Sequence, residues 1–281
     1  MLSTAFVERE YNLRAAFPDH AEWFARWAAD SEKARASADC RLDMRYGSGP
    51  KQTIDLFPAA EPLGALVFFH GGYWRALDKS EHSFVAPELV DRGVGVAVVN
   101  YDLCPEVSIA RIVEQCREAV VWLHRHGDRH GIPSRRVVVA GHSAGGHLTA
   151  MMFATDWSRY GLAPDVIAGG LAVSGIFDLE PLVQVTFNVD LRLDSSRAHA
   201  VSPIHIAPRA QAPLVLAAGA DETDEFIRQT WLLWERWPEC HPHAMRGPLF
   251  VAGRHHFSVL GDLASPRSDL FAATMSLFQE L

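Results

Sequence analysis

The residues best suited to chemistry in this chain are Gly141-His142-Ser143-Ala144-Gly145-Gly146. Before them runs Val137-Val138-Val139-Ala140, an apolar stretch of the kind that forms a strand buried on both faces. After them, Leu148, Met151 and Met152 recur at helical spacing. A serine at a sharp turn from strand to helix has its hydroxyl lifted above the sheet and the next N–H facing a developing oxyanion. The flanking glycines let backbone pass close by. Upstream, Ala65-Leu66-Val67-Phe68-Phe69 reads as a second buried strand that runs directly into His70-Gly71-Gly72-Tyr73-Trp74. Two glycines there can aim main-chain amides at a substrate carbonyl that a side chain would obstruct. The expected oxyanion donors are the N–H groups of Ala144 and of Gly71 or Gly72, and the chemistry is nucleophilic attack by Ser143 on a carbonyl.

A serine hydroxyl is a poor nucleophile at neutral pH, so Ser143 needs an imidazole base, and the base needs a carboxylate to hold its tautomer. With this kind of turn the chain order is serine, acid, histidine. The downstream histidines are His147, His199, His205, His241, His243, His255 and His256, and only the last two follow the final expected strand, Pro248 to Ala252. His147 precedes any acid, while His241 and His243 fall in a Pro-rich loop that reads as solvated surface. The strand Pro213 to Ala218 delivers Gly219-Ala220-Asp221-Glu222 to the top of the sheet, where either Asp221 or Glu222 could serve as the acid. Asp224 and Glu225 read as charges at a helix N-terminus.

The elements that must position these residues alternate along the chain. Trp23, Phe24 and Trp27 lie close to helical spacing, which predicts one or two helices between Val7 and Ala36, the second starting near Pro18-Asp19. Arg41 to Tyr46 and Gln52 to Phe57 alternate in polarity about Gly47-Ser48-Gly49-Pro50, the pattern of an edge hairpin. Ser83 to Val90 is expected to be helical, stopping at Gly93, and Val94 to Val99 to be a buried strand. Ser108 opens an amphipathic helix with Ile109, Ile112, Val113, Cys116, Val120 and Leu123 on one face and Gly127 as its stop. Ala168 to Val173 is a further strand, Glu225 to Trp237 a helix, and Ser265-Pro266 the start of a terminal helix that reaches the end of the chain. Together these specify an α/β protein: a mostly parallel sheet with helices on both faces and its site at the carboxyl ends of strands. The 281 residues suit one domain, with a helical segment over 1–40 and a possible lid over 178–205, where periodicity is weak.

Composition narrows the function. With 26 Lys and Arg against 34 Asp and Glu, the net charge of −8 argues against a nucleic-acid backbone as partner. The N-terminus has no basic n-region or apolar h-region and no later stretch is long enough to span a bilayer, so a cytoplasmic location is expected. Cys40, Cys104, Cys116 and Cys240 are scattered without metal-ligand or disulfide spacing. His124, His126 and His130 look like a metal cluster, but a two-residue step does not share a helix face. A metal site is therefore not expected.

Taken as a set, these motifs resemble the kynurenine formamidase (arylformamidase) branch of the α/β-hydrolase fold. The likeness runs through Tyr11-Asn12-Leu13-Arg14, Tyr46-Gly47, Asp55-Leu56-Phe57, the His70 to Trp74 stretch and Asn100 to Pro105. It continues in Ser174 to Pro181, Glu225-Phe226-Ile227-Arg228-Gln229 and His256-Phe257. The resemblance implies that the acid lies three residues before the Glu-Phe pair and the histidine directly before a Phe, which selects Glu222 and His256. It also implies hydrolysis of N-formylkynurenine to kynurenine and formate without a cofactor. Tyr73 and Trp74 are then expected to wall the substrate pocket, and a homodimer would be unsurprising. The alternative is a short-acyl carboxylesterase using the same catalytic set, since only the pocket would differ.

Overall fold

The computed structural model describes residues 3–279. Eight strands form one sheet: β1 (Arg41–Arg45), β2 (Thr53–Phe57), β3 (Gly64–Phe69), β4 (Val94–Val99), β5 (Val137–His142), β6 (Ile167–Val173), β7 (Leu214–Gly219) and β8 (Leu249–Val251). Their order is β1-β2-β4-β3-β5-β6-β7-β8; β2 is antiparallel to both β1 and β4, and every neighbouring pair from β4 to β8 is parallel. β3 and β5, which lead into the two glycine motifs, are therefore neighbours at the centre. Their register sets Phe69 opposite Gly141, so both motifs leave the sheet at the same height.

The helices are α1 (Thr4–Tyr11), α2 (Leu13–Ala16), α3 (His20–Ser37), α4 (Pro87–Val90), α5 (Ile109–His126), α6 (Ala144–Phe153), α7 (Asn188–Leu191), α8 (Ser195–Ala200), α9 (Asp224–Arg236) and α10 (Asp269–Gln279). They cover both faces of the sheet, as two adjacent glycines of β6 demonstrate. A side chain on Gly169 would meet Leu277 of α10, and one on Gly170 would meet Phe153 of α6. Successive strand residues point to opposite faces, so α6 and α10 lie on opposite sides. Val138, Val139, Leu171 and Leu216 are buried between these layers. Among the described residues, no helix is long and apolar enough to cross a membrane.

Local sequence signals account for much of this. The Ser108 hydroxyl accepts from the Arg111 N–H at 3.2 Å and starts α5, whose six expected inward residues are all buried. The His124, His126 and His130 group is explained by its contacts: His124 lies against the Ser134 carbonyl, and His126 and His130 pack on Trp122. Three expectations need correction. Ser83 to Val90 is not one helix, because Pro87 separates a 3-10 turn (Ser83–Val85) from the single turn of α4. The N-terminal region holds three helices, since non-helical backbone at Asn12 separates α1 from α2, while α3 starts directly after Asp19. The terminal helix starts at Asp269, where the Ser268 hydroxyl, not that of Ser265, accepts from the Phe271 N–H at 3.0 Å. The expected reach of that helix to the chain's end falls outside the described residues.

Candidate active site

Ser143 joins β5 to α6 with φ 57° and ψ −117°, a conformation that costs a non-glycine residue on the order of 1–3 kcal/mol. The surroundings hold it there. Its N–H donates to the Val173 carbonyl at 2.8 Å, and β3, β5 and α6 converge so closely that a Cβ on Gly145 would collide with the Phe69 carbonyl oxygen. The glycines of the motif are therefore required by proximity.

The His70 to Trp74 loop lies against this turn. A Cβ on Gly71 would sit 3.2 Å from the Ser143 Cβ, and Gly72 holds φ 106° where a side chain would meet the Ala76 carbonyl. His70 Nδ1 lies 2.8 Å from the Gly71 carbonyl oxygen and its Nε2 3.1 Å from Asn100 Oδ1, while the Tyr101 ring stacks on the His70 ring at 4.2 Å. In a trans peptide the N–H points opposite to the carbonyl, so fixing the Gly71 oxygen on His70 turns the Gly72 N–H the other way, toward the pocket Gly72 lines. Burial pushes the His70 pKa down to about 4. The N–H groups of Gly71, Gly72 and Ala144 meet no acceptor among the described residues.

Two loops at the carboxyl edge bring Glu222 to His256. His256 Nδ1 lies 2.8 Å from Glu222 Oε2, and both side chains are almost wholly buried. The other carboxylate oxygen, Oε1, accepts from the Gly219 N–H at 2.8 Å and from the Ser174 hydroxyl. Because a carboxylate only accepts, the His256 proton is fixed on Nδ1 and the Nε2 lone pair is left free. Asp221, the alternative acid, is exposed, and its backbone N–H is held by the Arg254 carbonyl at 2.9 Å. His255 turns away to Asp19, 3.1 Å from its Oδ2, with its ring stacked on Phe17 at 4.7 Å. Ser143 and His256 line the same pocket. No hydrogen bond joins them among the described residues, and in unliganded sites such bonds commonly tighten only around substrate.

That pocket has a volume of about 250 Å³. Its walls are largely aromatic, with Phe24, Trp27, Tyr73, Phe187 and Phe257 around Ser143, and its charged lining residues are Arg14 and Arg75. Tyr73 lines this pocket: its ring packs on Phe187 at 4.5 Å and its hydroxyl donates to the Tyr11 carbonyl at 2.7 Å. Trp74 does not. It is fully buried beneath the loop with its edge on His147 at 4.9 Å, because positive φ values at both Tyr73 and Trp74 turn the chain inward. His147 is tied to the Val201 carbonyl at 2.7 Å, and its pKa is pushed down to about 4 by burial. His241 is not solvated surface but half-buried, stacked on Trp234 at 3.6 Å.

Sequence reasoning gave no role to Ser174, to Arg14, Phe24 and Trp27 at the start of the chain, or to Thr186 and Phe187. Ser174 had a readable signal, since it follows β6 directly and so reaches the same edge as the acid. The others reach the pocket only through tertiary docking.

The sheet, turn and loop geometry define an α/β hydrolase. The profile of the family described as the alpha/beta hydrolase fold matches residues 66–234. The chain is 34% identical over 209 residues to a kynurenine formamidase of Salmo salar, covering 71% of this chain and 69% of that protein. A kynurenine formamidase of Danio rerio is 31% identical over the same coverage of both chains, 71% and 69%. A solved structure from Silicibacter sp., named as a thioesterase by provisional assignment, superposes with a TM-score of 0.83 at 35% identity, covering 95% of this chain and 97% of that one. The chain belongs to the kynurenine formamidase family and is a hydrolase of that type.

Proposed function

We propose that this enzyme cleaves N-formyl arylamines, N-formyl-L-kynurenine foremost, to the arylamine and formate through a formyl-Ser143 intermediate. The observation that carries the reading is the buried Glu222–His256 hydrogen bond, which leaves His256 Nε2 free on the pocket that Ser143 lines. His256 takes the Ser143 proton as the hydroxyl oxygen attacks the formyl carbon, and Glu222 stabilises the imidazolium. The N–H groups of Ala144 and of Gly72 or Gly71 hold the oxyanion, each donor contributing on the order of 3 kcal/mol. His256 then gives the proton to the leaving nitrogen. Water, deprotonated by the same imidazole, attacks the formyl ester, and formate departs.

The pocket walls support an aromatic leaving group, since Tyr73 and Phe187 offer ring faces beside the nucleophile. They also support an anionic one. Two arginines and no carboxylate line the pocket of a protein whose net charge is −8. Arg75 is paired with Asp190 at 3.0 Å, whereas Arg14 has no ion-pair partner among the described residues. We assign Arg14 to the carboxylate at the amino-acid end of the substrate. Steady-state kinetics on N-formylkynurenine beside p-nitrophenyl acetate tests the function: a preference for the formamide of orders of magnitude in kcat/KM is expected. Ester turnover with negligible deformylation would instead establish a short-acyl carboxylesterase.

A further inference from the structure

The residue before the nucleophile, His142, has no part in the mechanism above, yet it is buried and lines the pocket. Its Nε2 lies 2.8 Å from the His256 carbonyl oxygen. A carbonyl only accepts, so the ring proton is on Nε2. Burial, and the neighbouring His256 ring at 4.7 Å, hold the pKa well below the ordinary imidazole value. The ring is therefore neutral near pH 7, and Nδ1 carries a lone pair.

That lone pair is unused. Nδ1 makes no hydrogen bond among the described residues, and unlike His147 Nδ1 and His82 Nε2 it is not sealed in the interior without a partner. A point one Cβ bond out from Gly71 lies 3.3 Å from His142 Nδ1 and 3.2 Å from the Ser143 Cβ. An acceptor thus stands beside the nucleophile, on a ring fixed at its far end.

Amides need something at this stage that esters do not. When a serine attacks an amide, the nitrogen lone pair develops away from the imidazole that must protonate it. The nitrogen has to turn its lone pair inward, and this swings its N–H outward. An acceptor that meets the N–H in that arrangement stabilises the transition state and not the planar ground state. An ester oxygen has no hydrogen to offer and a second lone pair already available.

Resting on the deformylase reading, we propose that His142 Nδ1 accepts a hydrogen bond from the scissile N–H and thereby favours formamides over formate esters. The proton path is unchanged: His256 still delivers the serine proton to nitrogen, and His142 neither gains nor loses one.

The test uses formanilide and phenyl formate, which share the acyl group and the ring. His142→Gln keeps an amide donor near the Nε2 position and removes the acceptor at Nδ1; His142→Asn does the reverse. The formanilide to phenyl formate ratio of kcat/KM is expected to fall about tenfold in H142Q, the scale of one hydrogen bond, and to stay within about threefold of the unaltered enzyme in H142N. Equal loss on both substrates in both variants would make His142 a structural support and overturn the inference. Independently of whether either variant folds, the unaltered enzyme should cleave N-methylformanilide about tenfold or more slowly than formanilide, and equal rates would also overturn it. Formanilide turnover with an unmoved ratio refutes this inference alone. Turnover of phenyl formate without formanilide refutes the deformylase reading and this inference together.

Discussion

Two regions meet at the pocket and are built in different ways. One is the upper edge of the sheet, where Ser143, Glu222 and His256 are held by strained backbone, close-packed glycines and buried hydrogen bonds. The other is the wall contributed by residues 11–27 and by Thr186 and Phe187, which sits against the sheet edge through rings and a few polar ties. The first region has little freedom, since the Ser143 turn is tied to the Val173 carbonyl and closed in by the backbone of Phe69 and Gly71. The second includes exposed groups such as Arg14 and residues from three separate helices, α1 to α3. The contrast separates the chemistry from the choice of substrate. Changes at the sheet edge should appear in kcat, and changes in the wall should appear in KM.

The strongest test of that separation is Ser143→Ala. Turnover of N-formylkynurenine should fall by about 10⁵-fold or more, with thermal stability nearly unchanged, because alanine keeps the same backbone and the Ser143 hydroxyl makes no hydrogen bond among the described residues. Retained activity would remove Ser143 from the mechanism. Next comes a matched pair at the acid loop. Glu222→Gln should lower kcat by roughly 10⁴-fold, as expected when the base loses its fixed tautomer. Asp221→Asn should change it by less than about twofold, since an exposed charge away from the pocket does not touch the reacting groups. Equal effects of the two would reassign the acid.

A pH experiment probes the rigidity of the first region. Burial holds His70 and His147 at pKa values of about 4, and His82 at about 3, against an unfolded value of 6.5. Below pH 6.5 the unfolded chain takes up protons that the folded chain refuses. Stability is therefore intact above pH 6.5 and is lost as the pH falls from there toward 4, by up to about 1.4 kcal/mol per pH unit for each histidine. Thermal melts across that range should show the decline, and a flat profile would contradict the buried neutral rings. The smallest expected effect is at the wall. Arg14→Gln should raise KM for N-formylkynurenine by about tenfold while leaving formanilide, which has no carboxylate, within about twofold. A parallel loss on both substrates would refute the carboxylate assignment.

The same division governs what could be read from the sequence. β4 runs from Val94 to Val99 as its unbroken apolar run predicts, and α5 starts after Ser108 because a serine before an amphipathic stretch is a local instruction. The Ser143 turn and the His70 loop are equally legible, each being a strand that runs straight into a glycine motif. The strands that precede them narrow the acid to Asp221 or Glu222 and the base to His255 or His256, and only the family resemblance chooses within each pair. What could not be read depends on encounters between distant segments. Trp74 resembles pocket wall in sequence but is drawn into the core by the loop's positive φ values. Arg14, Phe24 and Trp27 reach the pocket because α1 to α3 dock on the sheet edge, and no local pattern in those helices encodes that destination.

The opening segment is tied to all three functional loops. The Tyr73 hydroxyl donates to the Tyr11 carbonyl, the Thr223 hydroxyl to the Glu10 carbonyl at 3.0 Å, and His255 meets Asp19. For a protein engineer this is a cassette. A short contiguous stretch, Tyr11 to Trp27, supplies much of the pocket wall, while the proposed catalytic residues are encoded elsewhere in the chain. Libraries confined to that stretch can retarget the hydrolase toward new leaving groups, provided the three ties are left in place so that each exchanged wall still closes on the same chemistry.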